Sequence, residues 1–258
     1  MLTKLLCGLA AIAALAPAAD WTKTFTVSGA PELRVETNDA AVRVRAGEGG
    51  RIFARVTVRG WEIGDGGVEI ADRQSGNRVD LRVRVPKWNF GFGIRRSVLV
   101  ELDVPREIAT DIETGDGSIV LEGVTGSSRL VTGDGSIDAT LDGALEARTG
   151  DGRVVARGRF ERVSIDTNDG SVEAEIRPGS RINGSWRLRT GDGSVRVRLP
   201  DDLAADLDVT TGDGNISIGL PLAISGIRSR SNIHGRLNGG GPPLVIRTGD
   251  GSVHIDRL

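Results

Sequence analysis

Thr114-Gly-Asp-Gly-Ser-Ile119 is the stretch whose reading decides the fold, because it recurs along the rest of the chain. It returns at 132–137, at 149–154 with Arg153 for the Ser, and at 167–172 with Asn168 for the first Gly. Further copies stand at 190–195, at 211–216 with Asn215 for the Ser, and at 248–253. Successive Thr positions lie 18, 17, 18, 23, 21 and 37 residues apart. A period of this length marks stacked units that cannot bury an apolar side alone. The longest interval is read as two coils, with Ile233, after Arg228-Ser-Arg-Ser-Asn, standing in a coil that has lost its signature.

Within each copy apolar residues alternate with polar ones on both sides of Gly-Asp-Gly, the pattern of strand, turn, strand. The apolar positions two places before the Thr are Ile112, Leu130, Ala147, Ile165, Leu188, Val209 and Ile246. After the turn they are Ile119, Ile137, Val154, Val172, Val195, Ile216, Ile233 and Val253, each followed two places on by a second inward position. Three apolar columns therefore stack along an axis, with polar groups facing out. The glycines beside each Asp are expected to supply the positive φ of a tight bend. The second bend of each coil varies, as at Glu122-Gly123, Asp142-Gly143, Pro178-Gly179 and Pro200-Asp201, and takes the insertions.

Composition agrees with a thin core. The 258 residues hold 37 Gly, no Tyr and 3% aromatics, so Val, Ile, Leu and Ala must fill the interior. A net charge of −2 lacks the basic footprint of a nucleic-acid binder. Residues 1–18, with Lys4, an apolar run from Leu5 to Leu15 and Ala16-Pro17-Ala18, read as a secretory signal peptide. That run is too short for a membrane span, and Leu6 is not the small residue that a lipidated Cys7 would need before it. The mature chain then holds no cysteine. The expectation is an exported monomer with no transmembrane span after signal cleavage, located in the periplasm, at the cell surface or secreted.

Residues 20–104 are read as an N-terminal coil followed by a β-meander, and 105–258 as the solenoid repeats. Thr37-Asn-Asp-Ala-Ala-Val42 resembles a worn copy of the motif. From Arg51 the period gives way to longer alternating strands over 52–58, 68–71, 79–85 and 98–104, a meander inserted between the first coil and the rest. It is placed to cap the open end of the stack. Inside it Trp88, Phe90 and Phe92 stand among Lys87, Arg95 and Arg96. Trp88, Phe90, Phe92, Arg95 and Arg96 form a candidate ligand-binding tip for sugar rings or lipid headgroups; the alternative is a hairpin plugging the apolar end.

The column Asp116, Asp134, Asp151, Asp169, Asp192, Asp213 and Asp250 is the main chemical feature. At the ~4.8 Å spacing of neighbouring strands, adjacent carboxylates repel by roughly 1 kcal/mol in water. Three reliefs compete: splayed turns bonded to their own amides, the nearby Arg148, Arg153, Arg189 and Arg247, or bound calcium. The column is read as structural, because Asp is a turn residue for local reasons and neither a nonapeptide calcium repeat nor an EF-hand loop is present. His234 and His254, the only histidines, are expected as outward neighbours in one ladder. The chain shows no Ser-His-Asp order, His-Glu-x-x-His, Walker loop or zinc-spaced cysteines. A polysaccharide-cleaving β-helix enzyme is the catalytic alternative, yet the short loops wall no cleft. The reading is no enzyme, no catalytic residue and no cofactor.

Taken together, the leader, the meander and the iterated Thr-Gly-Asp-Gly-Ser-Ile strands resemble the bacterial putative-adhesin family, a β-strand-repeat domain of unknown function related to auto-transporter adhesin head domains. The resemblance runs from about Leu33 to Ile255. It implies an all-β, single-stranded, right-handed β-helix of the pectin-lyase-like type, here with eight to nine short coils, an exported location and an adhesin-like role. The expected function is non-enzymatic binding or display in the bacterial cell envelope, with an envelope glycan or protein as partner. The alternative is an envelope scaffold whose open C-terminal edge, at Val253 and Ile255, pairs with a partner strand.

Overall fold

The computed structural model describes residues 18–87, 96–221, 223–229 and 231–258. The described residues form strands and connections, with no helix. The first nine strands are β1 (Ala18–Thr26), β2 (Glu32–Thr37), β3 (Ala41–Gly47), β4 (Arg51–Arg59), β5 (Glu69–Ser75), β6 (Arg78–Arg84), β7 (Ser97–Pro105), β8 (Ala109–Thr114) and β9 (Ile119–Thr132). Then come β10 (Ile137–Thr149), β11 (Val154–Gly158), β12 (Phe160–Thr167), β13 (Val172–Ile176), β14 (Trp186–Thr190) and β15 (Val195–Leu199). The last six are β16 (Ala205–Thr211), β17 (Ile216–Ile218), β18 (Ala223–Arg228), β19 (Asn232–Leu237), β20 (Pro243–Thr248) and β21 (Val253–Arg257).

These strands build two long ladders. The ladder that precedes each turn runs β5-β6-β2-β8-β9-β10-β12-β14-β20-β16-β19-β18. The ladder that follows each turn runs β1-β4-β7-β3-β9-β10-β11-β13-β15-β21-β17. β9 and β10 belong to both, because each passes through the second bend without a break. Pairing is parallel through the middle and antiparallel in the terminal strands of each ladder, except at β17, so the stack is solenoid-like with hairpins at its extremities.

Alternation dictates this arrangement. In β8 the burial pattern makes Ile112 and Thr114 point inward while Asp111 and Glu113 face out, and the parallel register carries the same parity to Leu130, Ala147, Ile165, Leu188, Ile246 and Val209. The second ladder supplies Ile119, Ile137, Val154, Val172, Val195 and Val253, each at most 1% exposed. The core is the sandwich of these rows, mostly branched aliphatics that suit a pleated surface. In the 23-residue interval Trp186 packs against Phe160 of the preceding one, both buried and edge-to-face at 6.5 Å. Trp186 also donates its indole N–H to the Glu161 carbonyl at 3.0 Å. The interior is therefore not purely aliphatic.

Three expectations are corrected here. The first coil, β2–β3, pairs directly with β8 and β9, and the meander strands extend outward from its other side, so the segment inserted between first coil and rest along the chain does not separate them in space. The last interval holds no faded coil: Ile233 lies in β19, which runs antiparallel to β16 and pairs also with β18. The final motif then returns into the stack, where β20 lies between β14 and β16, and β21 between β15 and β17. Val253 and Ile255 are accordingly interior positions, not an open edge. At that end of the second ladder the strand that pairs on one side only is the three-residue β17.

Candidate functional site

The side of the molecule made by the Thr-Gly-Asp-Gly turns is built in the same way at each level. The Thr side chain is buried beneath the turn. Its Oγ1 accepts the N–H of the second Gly, as in Gly135 to Thr132 at 3.1 Å and Gly152 to Thr149 at 3.2 Å. The same hydroxyl donates to the second-Gly carbonyl of the level below: Thr132 to Gly117 at 2.9 Å, Thr149 to Gly135 at 2.9 Å, Thr190 to Gly170 at 2.7 Å. The series continues Thr248 to Gly193 at 2.8 Å and Thr211 to Gly251 at 2.7 Å, and it begins with Thr114 to the Ala40 carbonyl at 3.1 Å. These bonds staple each turn to the next and spell out the spatial order 37, 114, 132, 149, 167, 190, 248, 211.

The glycines have a different reason than expected. None of Gly115, Gly117, Gly133, Gly135, Gly150, Gly152, Gly191 or Gly193 has a positive φ. What excludes a side chain is the level below: a Cβ on Gly135, Gly152, Gly170, Gly193, Gly251 or Gly214 would lie less than 3.0 Å from the carbonyl oxygen of the corresponding glycine beneath it. Backbone stacks directly on backbone, and only hydrogen fits between. Positive φ occurs instead in the second bends, at Gly123 (77°), Gly126 (134°) and Gly143 (127°).

With the backbone fixed so closely, the Asp side chains can only point away. Asp116, Asp134, Asp151, Asp169, Asp192, Asp213 and Asp250 are all exposed. Asp39 of the worn first copy extends the row, since Val42 is in register with Ile119. Of the three proposed reliefs, the arginine one is not used: Arg148 pairs with Glu146 at 3.0 Å, Arg247 with Asp208 at 3.7 Å, and Arg153 with Glu173. Nor do the seven carboxylates bond their own amides; they carry no protein hydrogen bond or ion pair among the described residues. No group of three or more His, Cys, Asp or Glu among the described residues is placed to hold a metal ion.

The broad faces differ in this respect. On the first ladder Arg82 meets Glu36 at 2.7 Å and Arg129 meets Asp111 at 2.9 Å. On the second, Arg157 meets Asp138 at 2.9 Å and Arg198 meets Glu175 at 3.0 Å. In these pairs opposite charges stand at neighbouring levels, although Arg189 lies in register with Arg247. Burial pushes the Asp142 and Glu173 carboxyls up, yet hydrogen bonds and charge from Arg159 and from Arg153, respectively, outweigh it and leave both below the ordinary range. The hydrogen bond to Asp111 holds the Arg129 guanidinium above its usual value, against partial burial.

The histidines do not meet. His234 stands opposite Asp208 in the first ladder, 3.4 Å from its carboxylate, while His254 lies in the second between Arg196 and Ser217. Of the aromatic tip, Trp88, Phe90, Phe92 and Arg95 lie outside the described residues. Arg96 is described, and its guanidinium sits 5.3 Å from the centre of the Trp61 ring. Sequence reading passed over Trp61; the break in alternation at Arg59-Gly60-Trp61 was the available signal. Before the tip, Val85 is held by Asn38, whose side-chain amide accepts from the Val85 N–H at 2.8 Å and donates to the Val85 carbonyl at 2.7 Å.

Comparison with known proteins places the chain among relatives of unknown function. The family model described as Toastrack DUF4097 matches residues 100–256. No protein of curated function matches. Among solved structures, the chain is similar to a putative cell adhesion protein from Clostridium sporogenes, at 13% identity and TM-score 0.46, over 94% of this chain and 100% of that one. A putative lipid binding protein from Parabacteroides distasonis gives 16% identity and TM-score 0.44, over 92% and 96%. A putative adhesin from Parabacteroides merdae gives 14% identity and TM-score 0.38, over 92% and 95%.

Proposed function

The chain belongs to the Toastrack DUF4097 family, and from that premise we propose that it is an exported, non-enzymatic binding or display protein of the bacterial cell envelope. The proposed form is a right-handed β-helix of eight to nine coils, released from a leader over residues 1–18 and working without a cofactor. One observation carries the reading: the turn side is a backbone-locked row of carboxylates without partners among the described residues, while the broad faces carry ion pairs between levels. A row repeating every ~4.8 Å is matched by a partner that is itself periodic. Carboxylates accept hydrogen bonds from sugar hydroxyls in their charged, stronger form, so an envelope glycan is the partner class. No helix among the described residues is long and apolar enough to cross a membrane.

The test is a glycan array probed with the chain from Asp20 onward and with its D134N/D151N/D169N/D192N variant. The expected result is a set of glycans bound by the former and lost by the latter, at unchanged circular dichroism. Silence of the array, or equal binding by both, would remove the glycan reading and leave protein partners.

A further inference from the structure

The position of the last coil is unusual for a stack of repeats. β20, its turn and β21 stand between the coil of Thr190 and the coil of Thr211, although Thr211 comes earlier in the chain. The connection from β15 to β16, over 200–204, therefore climbs two levels. The first coil, β2–β3, is intercalated in the same way between the coil of β6–β7 and the coil of β8–β9. Along the chain it is flanked on both sides by the nine-residue strands β1 and β4, which pair with each other, while β4 also pairs with β7. The last coil is joined to β19 only through Asn238-Gly-Gly-Gly-Pro242, an exposed to half-exposed loop with φ of 48°, 88° and 89° at its first three residues.

The slot holding this coil is lined on both sides by the same chemistry. Below, the Gly193 carbonyl accepts from Thr248 at 2.8 Å; above, Thr211 donates to the Gly251 carbonyl at 2.7 Å. The side chains in register are Leu188, Ile246 and Val209 in one ladder, and Val195, Val253 and Ile216 in the other. If the last coil leaves, the coil of Thr211 can settle on that of Thr190 with Thr211 donating to Gly193, and both the turn staple and the apolar register are restored. The connection over 200–204 then has one level to climb, as elsewhere. Few interactions fix the coil beyond these repeats: Arg257 to Asp201 at 2.5 Å, Arg247 to Asp208 at 3.7 Å, the Asn215 N–H to Ser252 Oγ at 3.3 Å, and the Leu258 N–H to the Leu199 carbonyl at 2.9 Å.

We propose that the segment from Pro243 onward is an exchangeable coil, and that two copies of this chain link by each placing its last coil in the other's slot. The occupant is a segment whose fit is already seen within one chain, and the Asn238–Pro242 loop is the hinge. A repeat stack makes such exchange inexpensive, because each interface resembles the next and the vacated slot can close.

The experiment uses two populations of the full chain carrying different C-terminal tags, mixed at high concentration just below the unfolding midpoint, cooled and captured through one tag. Capture of the second tag is expected. The pair D208C/V245C, in a C7S background, joins positions in register across β16 and β20. Oxidised before mixing, it should cut co-capture at least tenfold, and reductant should restore it. A second pair, R196C/H254C across β15 and β21, serves if the first does not fold. Absence of co-capture, or co-capture indifferent to the lock, would overturn the proposal.

Discussion

Gly152→Ala is the substitution that tests most directly how the stack is held. Gly152 has no positive φ, so alanine meets no conformational objection. Its Cβ would, however, lie less than 3.0 Å from the Gly135 carbonyl and from Thr149 Oγ1. Neither can retreat: the carbonyl belongs to the level beneath, and the hydroxyl is buried between two bonds, donated to Gly135 at 2.9 Å and accepted from Gly152 at 3.2 Å. Overpacking a closed site costs about 1–3 kcal/mol, and weakening two buried hydrogen bonds adds about 1 kcal/mol each. The total is roughly 3–5 kcal/mol, or a midpoint lower by about 6–20 °C for a chain of this size. Gly184→Ala is the control, because Gly184 has φ of 92° and nothing within 4 Å of a Cβ. It should cost only the about 1–2 kcal/mol of left-handed backbone. Thermal unfolding followed by circular dichroism measures both. Equal losses, or a loss below about 1 kcal/mol at Gly152, would refute the claim that backbone contact between levels dictates the glycines.

Thr149→Val keeps the shape but leaves the Gly135 carbonyl and the Gly152 N–H without their partner, and should lower stability by about 2 kcal/mol, while Thr149→Ser restores most of it. The lowered carboxyls of Asp142 and Glu173 contribute stability that is complete above their ordinary values of 3.8 and 4.5 and is lost as pH falls through the lower folded values. An acid titration of the midpoint should therefore steepen below about pH 4, and Asp142→Asn should flatten it; an unchanged profile would count against the Arg159 contact. Replacing alternate members of the carboxylate row, as in D134N/D169N/D250N, should raise the midpoint in low salt by a few tenths of a kcal/mol per site, with the gain fading at high salt. Calcium against chelator should leave the midpoint of the unaltered chain where it is, since the row converges on no common point; a rise of several degrees would show that cations bind it.

The period and the alternation were legible because they follow from local rules. Ile112, Thr114 and Ile119 face inward for the same reason of parity that any reader of the sequence can apply, and the register carries that parity from level to level. The order of the levels was not legible. A Thr-Gly-Asp-Gly turn fits on any other, so nothing in the residues around Thr248 says that its neighbours are Thr190 and Thr211 instead of Thr211 alone. The faded coil, the histidine pair and the open edge at Val253 all followed from assuming that chain order is stacking order. The glycines were misread for a related reason: a bend within one chain segment suggests φ, whereas the constraint comes from a carbonyl 17 to 23 residues away or, at Gly214 and Gly251, 37 and 58. Trp186 and Phe160 were missed because alternation marks a position as inward without saying how wide the interior is there.

Intercalated first and last coils also determine how the molecule would bear a mechanical load. In a stack ordered as its chain is, a pull on a terminus peels the outermost strand away one hydrogen bond at a time. Here a pull through Leu258 acts along β21, which is bonded on one flank to β15 and on the other to β17. The bonds on both flanks lie across the direction of the force and share it, so they must fail together. Toward the other terminus, β2 and β3 sit equally deep, between neighbours on either side. Tension applied between the two would be resisted in shear, which is the stronger way for paired strands to be held.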